Sequence, residues 1–200
     1  MILFIDTETT GFVDERMPLN HENQPWLVSL SAELCHDTGR VQQSFSVLVY
    51  NPGVPIPAKA TEVHGITTDK AMKYGVKAAT ALGLLRHLAL RADLVVAHNI
   101  RFDIMVIEVA LVRAKDRMPP WDMSEITRFC TMEASAPIVN LPPTERMKAA
   151  GLSKPKAPKL EEAYRFFFDE DLADAHTSMA DVAACRRIYF ELERRKAANA

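Results

Sequence analysis

Cysteine is scarce in this 200-residue chain: Cys35, Cys130 and Cys185 are odd in number and far apart. That excludes a disulfide framework and a zinc site of paired cysteines, and buried thiols are expected. No apolar stretch reaches eighteen residues, and Met1 runs straight into an apolar strand without a basic leader. The expectation is therefore a soluble, cytoplasmic protein with no membrane partner. An excess of one charge is also missing, with 24 Lys and Arg against 26 Asp and Glu for a formal net charge of −2. A global basic field that would hold duplex nucleic acid non-specifically is excluded, and only a local basic groove is left open. Repeats and low-complexity tracts are absent too. What is present, 48% hydrophobic and 25% charged residues, suits one compact domain over residues 1–200 that buries a full core.

The hydrophobic pattern begins with a buried strand from Ile2 to Ile5. An aperiodic loop from Phe12 to Trp26 follows, then strands Leu27 to Leu34 and Val41 to Tyr50 joined as a hairpin through Asp37-Thr38-Gly39. Residues 51–66, with Pro52, Pro55 and Pro57, read as an irregular connection, after which Thr67 or Thr68 caps a short helix. Lys77 to Arg91 has leucines at helical spacing and feeds a brief strand, Asp93 to Ala97. Phe102 to Ala114 is apolar on nearly every side and reads as a buried helix. Ile126 to Cys130 is expected as a last strand, residues 137–158 as mostly loop, and Lys159 to Phe168 and Thr177 to Lys196 as closing helices. Strands in a meander followed by alternating helix and strand define an α/β domain with a mixed sheet flanked by helices.

Chemistry concentrates at three places. Asp6-Thr7-Glu8-Thr9-Thr10-Gly11 ends the first strand, and side chains two apart on a strand share a face, so Asp6 and Glu8 present paired carboxylates. Two like charges held together need a cation, and an all-oxygen pair suits Mg²⁺ or Mn²⁺. His98-Asn99-Ile100-Arg101-Phe102-Asp103 sits where a strand turns into the buried helix. Asp103 falls in that helix's first turn, at the sheet edge where α/β folds place their ligand sites, with Phe102 anchoring the turn in the core. The alternative there is structural, with Asn99 as N-cap, Asp103 as a dipole-complementing charge and His98 as a satisfied strand-end residue. His176-Thr177-Ser178-Met179-Ala180-Asp181 opens the last helix. A His followed five residues later by Asp also occurs at His64/Asp69 and His98/Asp103, but only the third pair begins a long helix. The opposite face of that helix, with Val182, Cys185, Ile188 and Leu192, is expected to pack on the sheet.

Taken together and in this order, Asp-x-Glu-Thr-Thr-Gly, His-Asn-x-x-Phe-Asp and His-x-x-x-x-Asp resemble the DEDDh 3′–5′ exonucleases of the ribonuclease H-like superfamily, which include proofreading exonucleases. The resemblance runs from Phe4 to about Tyr189 and includes Val-His-Gly-Ile-Thr at Val63 to Thr67. Ser178 departs from it, since the family usually has Ala there. Thr177 stands where the Tyr-type relatives carry Tyr, which places the chain in the His subtype. The resemblance implies a ribonuclease H-like mixed sheet and an exonuclease domain. Asp6, Glu8, Asp103 and Asp181 would hold two divalent ions, Mg²⁺ or Mn²⁺, about 4 Å apart, with His176 as general base. It also implies a nucleic-acid partner presenting a single-stranded 3′ end and release of nucleoside 5′-monophosphates; the motifs do not separate DNA from RNA, and DNA is taken as the leading substrate. The terminal nucleotide would sit over Thr9 and Thr10, its 3′-hydroxyl near Glu8 and its base against Phe12 and the turn of His64, Gly65 and Ile66. Asn99 would either hydrogen-bond that nucleotide or cap the helix. Many relatives work as dimers, so a homodimer is admitted.

Arg146, Lys148, Lys154, Lys156 and Lys159 make the best local candidate for a surface that tracks the strand backbone, against a merely solvated basic loop. The competing functions are the same chemistry on RNA, a proofreading subunit beside a polymerase, and a non-catalytic binding module of the same fold. The short segment after the last helix speaks against a tether to a large partner. The filled set of five catalytic positions speaks against the binding module.

Overall fold

The computed structural model describes residues 1–115, 126–172 and 177–198. The chain enters through β1 (Ile2–Thr9), which continues through Asp6 to Thr9 instead of stopping at Ile5, then forms β2 (Leu27–Cys35) and β3 (Val41–Tyr50). These three are the expected antiparallel meander, with Asp6 opposite Ser31 and Glu8 opposite Ser29. Next come α1 (Ala58–His64), α2 (Thr68–Tyr74), β4 (Val76–Lys77), α3 (Ala78–Ala89), β5 (Leu94–Ala97) and α4 (Ile100–Ala114). The described chain closes with β6 (Thr127–Cys130), α5 (Thr131–Val139), α6 (Glu145–Ala149), α7 (Leu160–Phe168) and α8 (Ser178–Ala198). Among the described residues the sheet is six-stranded and mixed, in the order β4-β3-β2-β1-β5-β6, with β5 parallel to β1 and β6 parallel to β5.

The alternation of β1 divides its side chains between two helical layers. Leu3 and Ile5 point into a core with Leu82 and Leu85 of α3 and Ile104 and Ile107 of α4. Ile2 and Phe4 point the other way, onto Val182, Cys185 and Tyr189 of α8. The expectation for α8 holds for Val182 and Cys185. Ile188 and Leu192 instead pack with Ala163 and Tyr164 of α7, because a 21-residue helix turns its next apolar stripe toward its helical neighbour.

α1 and the five-residue α6 emerge from segments that read as loop, and α5 runs into the second of them. α1 opens directly after Pro57, whose fixed φ suits the start of a helix, and ends at Gly65 in the left-handed conformation (φ 67°). α5 carries Pro137 in its last turn and closes on Asn140. Thr67 is the cap of α2, its hydroxyl accepting the Lys70 amide at 3.1 Å. No helix among the described residues is long and apolar enough to cross a membrane.

Candidate active site

β1 outruns its parallel neighbour, and that mismatch creates the site. Pairing with β5 is registered only from Ile2 to Phe4, so the edge of β1 beyond it faces no strand. Asp103, in the first turn of α4, fills this gap: its Oδ1 accepts the Thr7 amide at 3.0 Å and the Thr7 hydroxyl at 2.8 Å. The sequence reading missed Thr7, which points away from Asp6 and Glu8 and fixes Asp103 against β1. On the opposite face, Asp6, Glu8 and Asp181 bring one carboxylate oxygen each to within 4.8 Å of one another. Asp181 lies in the first turn of α8, whose opening is fixed by the Asp181 amide donating to the Thr177 carbonyl at 3.0 Å. Two helix N-termini, those of α4 and α8, thus deliver their partial positive charge to a cluster of acids. His176 lies outside the described residues.

The electrostatics of the cluster are those of a cation site. Asp6 is pushed well above the usual carboxylate range, by burial first and then by Asp103, Asp181 and Glu8. Burial followed by Asp181 and Asp103 lifts Glu8 to about 8. Burial lifts Asp103 to about 7 against the two hydrogen bonds from Thr7, which act in the other direction. Asp6 Oδ2 is buried and accepts no hydrogen bond among the described residues. A buried carboxylate oxygen with no donor, beside three further acids, is poorly placed for a protein-only solution and well placed for a divalent ion with oxygen preference. The donor set fits Mg²⁺ or Mn²⁺.

A groove of about 430 Å³ leads away from Glu8, lined by Thr9, Thr10, Phe12, Lys59, Val63, His64 and Phe102 among others. Four of the residues expected to hold a nucleotide therefore meet there, whereas Gly65 and Asn99 are not among the lining. Thr9 and Thr10 spend their hydroxyls on their own loop: Thr9 Oγ1 donates to the Gly11 carbonyl at 2.5 Å, and Thr10 Oγ1 accepts the Trp26 amide at 2.9 Å. Phe12 is 92% exposed, which rules out a core role for it. Phe102 is half-buried and forms part of the groove wall besides packing on the core. His64 is buried, with Nδ1 accepting the Ile66 amide at 3.1 Å and Nε2 facing the Thr9 carbonyl at 3.3 Å. A neutral ring protonated on Nε2 satisfies both contacts, and burial pushes its pKa down. His64 thereby ties α1 to the end of β1. Gly65 serves as the turn that lets this happen.

The loop bearing Phe12 is anchored from within and from below. Gln24, fully buried, donates to the Asp14 carbonyl at 2.8 Å and accepts the Asp14 amide at 3.2 Å. Arg113 of α4 stacks on Trp26 and donates to the carbonyls of Gln24 (2.6 Å) and Pro25 (2.5 Å).

The other expectations resolve as follows. His98 is a structural joint, Nδ1 on the Thr131 hydroxyl and Nε2 on the Pro158 carbonyl, both at 3.0 Å, with burial lowering its pKa to about 4. Asn99 occupies the cap position of α4 but is exposed and left-handed (φ 74°), and its side chain makes no cap hydrogen bond. The basic stretch is partly neutralised, because Lys148 pairs with Glu145 at 2.7 Å and Lys156 with Glu162 at 2.6 Å. None of its five cations lines the groove.

Comparison with known proteins agrees with this architecture. The RNase_T exonuclease family matches residues 3–189. The DNA polymerase III subunit epsilon-like protein of Rhodobacter capsulatus is 35% identical over 99 residues, which is 50% of this chain and 13% of that protein. E. coli exonuclease I in complex with a dT13 oligonucleotide superposes with a TM-score of 0.76 at 18% identity, over 98% of this chain and 42% of that one. The zinc-bound form of the E. coli exonuclease I complex with single-stranded DNA gives 0.73 at 18% identity, over 98% and 41%. The chain thus spans well under half the length of these relatives. Its fold is the ribonuclease H-like one that they share, a mixed sheet flanked by helices. The chain belongs to the RNase_T exonuclease family.

Proposed function

We propose that this chain is a DEDDh 3′–5′ exonuclease, working as one exonuclease domain, that removes nucleoside 5′-monophosphates from the 3′ end of single-stranded or frayed DNA. The observation that carries the reading is the cluster of Asp6, Glu8 and Asp181, with Asp103 held beside it by Thr7, next to a groove that begins at Glu8 and whose wall offers an exposed aromatic ring. Asp6, Glu8, Asp103 and Asp181 would hold the divalent ions. When bound, such ions lower the pKa of an attacking water and neutralise charge that builds on the phosphoryl group. The chain's own residues do the rest. Thr7 holds Asp103 in place, and Glu8 faces the 3′-hydroxyl end of the substrate. Phe12 stacks a base without reading its identity, since every base offers a π-face. His176 takes the proton of the attacking water at an imidazole nitrogen, a group whose ordinary pKa suits that task near neutrality. The preference for DNA is supported by the single-stranded DNA bound in the solved exonuclease I structures.

The test is degradation of single-stranded DNA and RNA of one sequence, labelled at the 5′ end in one set and the 3′ end in another. The expected result is a ladder shortening from the 3′ end of the 5′-labelled strand and immediate release of the 3′ label as a mononucleotide. Internal fragments from both labels, or 5′ label released first, overturn the polarity. Faster loss of RNA transfers the same chemistry to the other sugar.

A further inference from the structure

The sheet face that carries Asp6 and Glu8 continues onto β2 as hydroxyls. Ser31 stands opposite Asp6 and Ser29 opposite Glu8 in the antiparallel register. Both are buried, as is Ser178 in the first turn of α8. Ser178 Oγ lies 2.6 Å from Ser31 Oγ and 2.9 Å from Ser29 Oγ. With one proton per hydroxyl the hydrogen-bond chain runs from Ser29 to Ser178, from Ser178 to Ser31 and from Ser31 to Ser46 Oγ at 2.8 Å, the Val47 carbonyl at 3.3 Å being the longer alternative acceptor for Ser29. The next turns of α8 lie on the sheet through Val182, Cys185 and Tyr189. Apolar packing of this kind is non-directional, so it sets the height of the helix and leaves its rotation and sliding loosely defined. Hydrogen bonds between buried hydroxyls are directional and costly to leave unmade, so they define both.

We propose that Ser29, Ser31 and Ser178 form a positioning latch for the divalent-metal site, fixing the first turn of α8 so that Asp181 meets Asp6 and Glu8. The inference rests on the metal reading given above. Ser178 is one turn before Asp181, and the two serines it meets are the cross-strand neighbours of the two β1 ligands. A single set of hydroxyl contacts therefore registers the helix ligand against the strand ligands. Thr7 does the same for Asp103 on the other face. Each aspartate carried by a helix is held to β1 or its neighbour through hydroxyl groups.

Mn²⁺ titration calorimetry on the full chain, with thermal unfolding in EDTA, tests the latch. Ser178→Ala and Ser31→Ala are each expected to weaken Mn²⁺ binding about tenfold, the low end of what losing a partner that orients a ligand costs. The double variant is expected to lose little more than either single, because both break one contact. Ser135→Ala is the control: Ser135 is a buried hydroxyl that donates to the Thr131 carbonyl at 2.7 Å within α5. It should lower the unfolding temperature and leave Mn²⁺ affinity unchanged. Serine variants that lose stability like the control but bind Mn²⁺ like the parent overturn the latch and make the hydroxyls merely structural. A parent chain that binds no Mn²⁺ overturns the metal reading itself, and the latch with it.

Discussion

Raising the pH from 6.5 to 8.5 in EDTA is expected to destabilise this protein, and Mg²⁺ is expected to abolish the loss. Glu8 is lifted from 4.5 to about 8 and Asp103 from 3.8 to about 7 in the folded state. In the unfolded chain both are ionised throughout this window, so the folded state binds the extra protons and stability falls as pH rises. The relation is complete at both ends: the penalty is absent below about pH 4 and fully developed above the folded values. Between pH 6.5 and 8.5 the linkage integral gives about 2 kcal/mol for Glu8 and about 1 kcal/mol for Asp103. Asp6, displaced in the same direction, adds to that sum. For a chain of this size about 3 kcal/mol lowers the unfolding temperature by about 6–12 °C. Two buried histidines act in the other direction, because His98 at about 4 and the lowered His64 are neutral in the folded state above pH 6.5 but half protonated in the unfolded chain at pH 6.5. Both return some stability across the window, about 0.4 kcal/mol for His98, without reversing the loss. Thermal unfolding across the window in EDTA, then with Mg²⁺, measures the effect, and Glu8→Gln should raise the metal-free unfolding temperature at pH 8.5. A flat metal-free profile, or a Glu8→Gln variant less stable than the parent at pH 8.5, refutes the reasoning.

Thr7→Val removes the hydroxyl bond to Asp103 and keeps the shape of the side chain, so turnover is expected to fall about 10–100-fold with the fold intact by circular dichroism. Unchanged turnover would show that the amide bond alone holds Asp103. Phe12→Ala is expected to weaken binding of a single strand by about 1–3 kcal/mol, measured by fluorescence anisotropy in EDTA, because the ring is exposed and available for stacking. Equal affinity in the variant would remove the base from that wall. Lys59, the cation lining the groove, is expected to contact one phosphate, so Lys59→Gln should reduce the salt slope of binding by about 0.7. A parallel slope would place the strand elsewhere.

The meander, the buried α4 and the Asp6–Glu8 pair were legible because each rests on a short-range pattern: alternation, a run of apolar residues at helical length, or acids two apart at the end of an apolar run. Asp103 and Asp181 were singled out by their places at helix starts and by the family resemblance. β2 shows where that pattern misleads. Ser29, Ser31 and Glu33 alternate with apolar residues as in a strand with one wet face, yet all nine residues are buried because α8 covers that face. Glu33 is accommodated by an ion pair with Arg186 at 2.7 Å. Coverage by a helix nearly 150 residues later leaves no local trace. α1 was hidden for another reason: prolines just before it read as breakers, and seven residues with one buried side chain give no periodicity. Thr7 carries no charge and no motif signal of its own, and its role comes only from facing the layer opposite Asp6 and Glu8, where Asp103 arrives from α4. The lysines of residues 145–159 were legible as charge; Lys148 pairs with Glu145 three residues earlier once α6 forms, whereas the pairing of Lys156 with Glu162 depends on how the loop enters α7.

Release of mononucleotide from a single-stranded DNA as a function of Mg²⁺ concentration, for the parent chain and for Asp103→Asn, tests the central claim most directly. The account predicts no release in EDTA, saturable release with Mg²⁺ in the parent, and loss of release in the variant despite retained strand binding. Release that persists in EDTA, or survives in Asp103→Asn at the parent's rate, contradicts it.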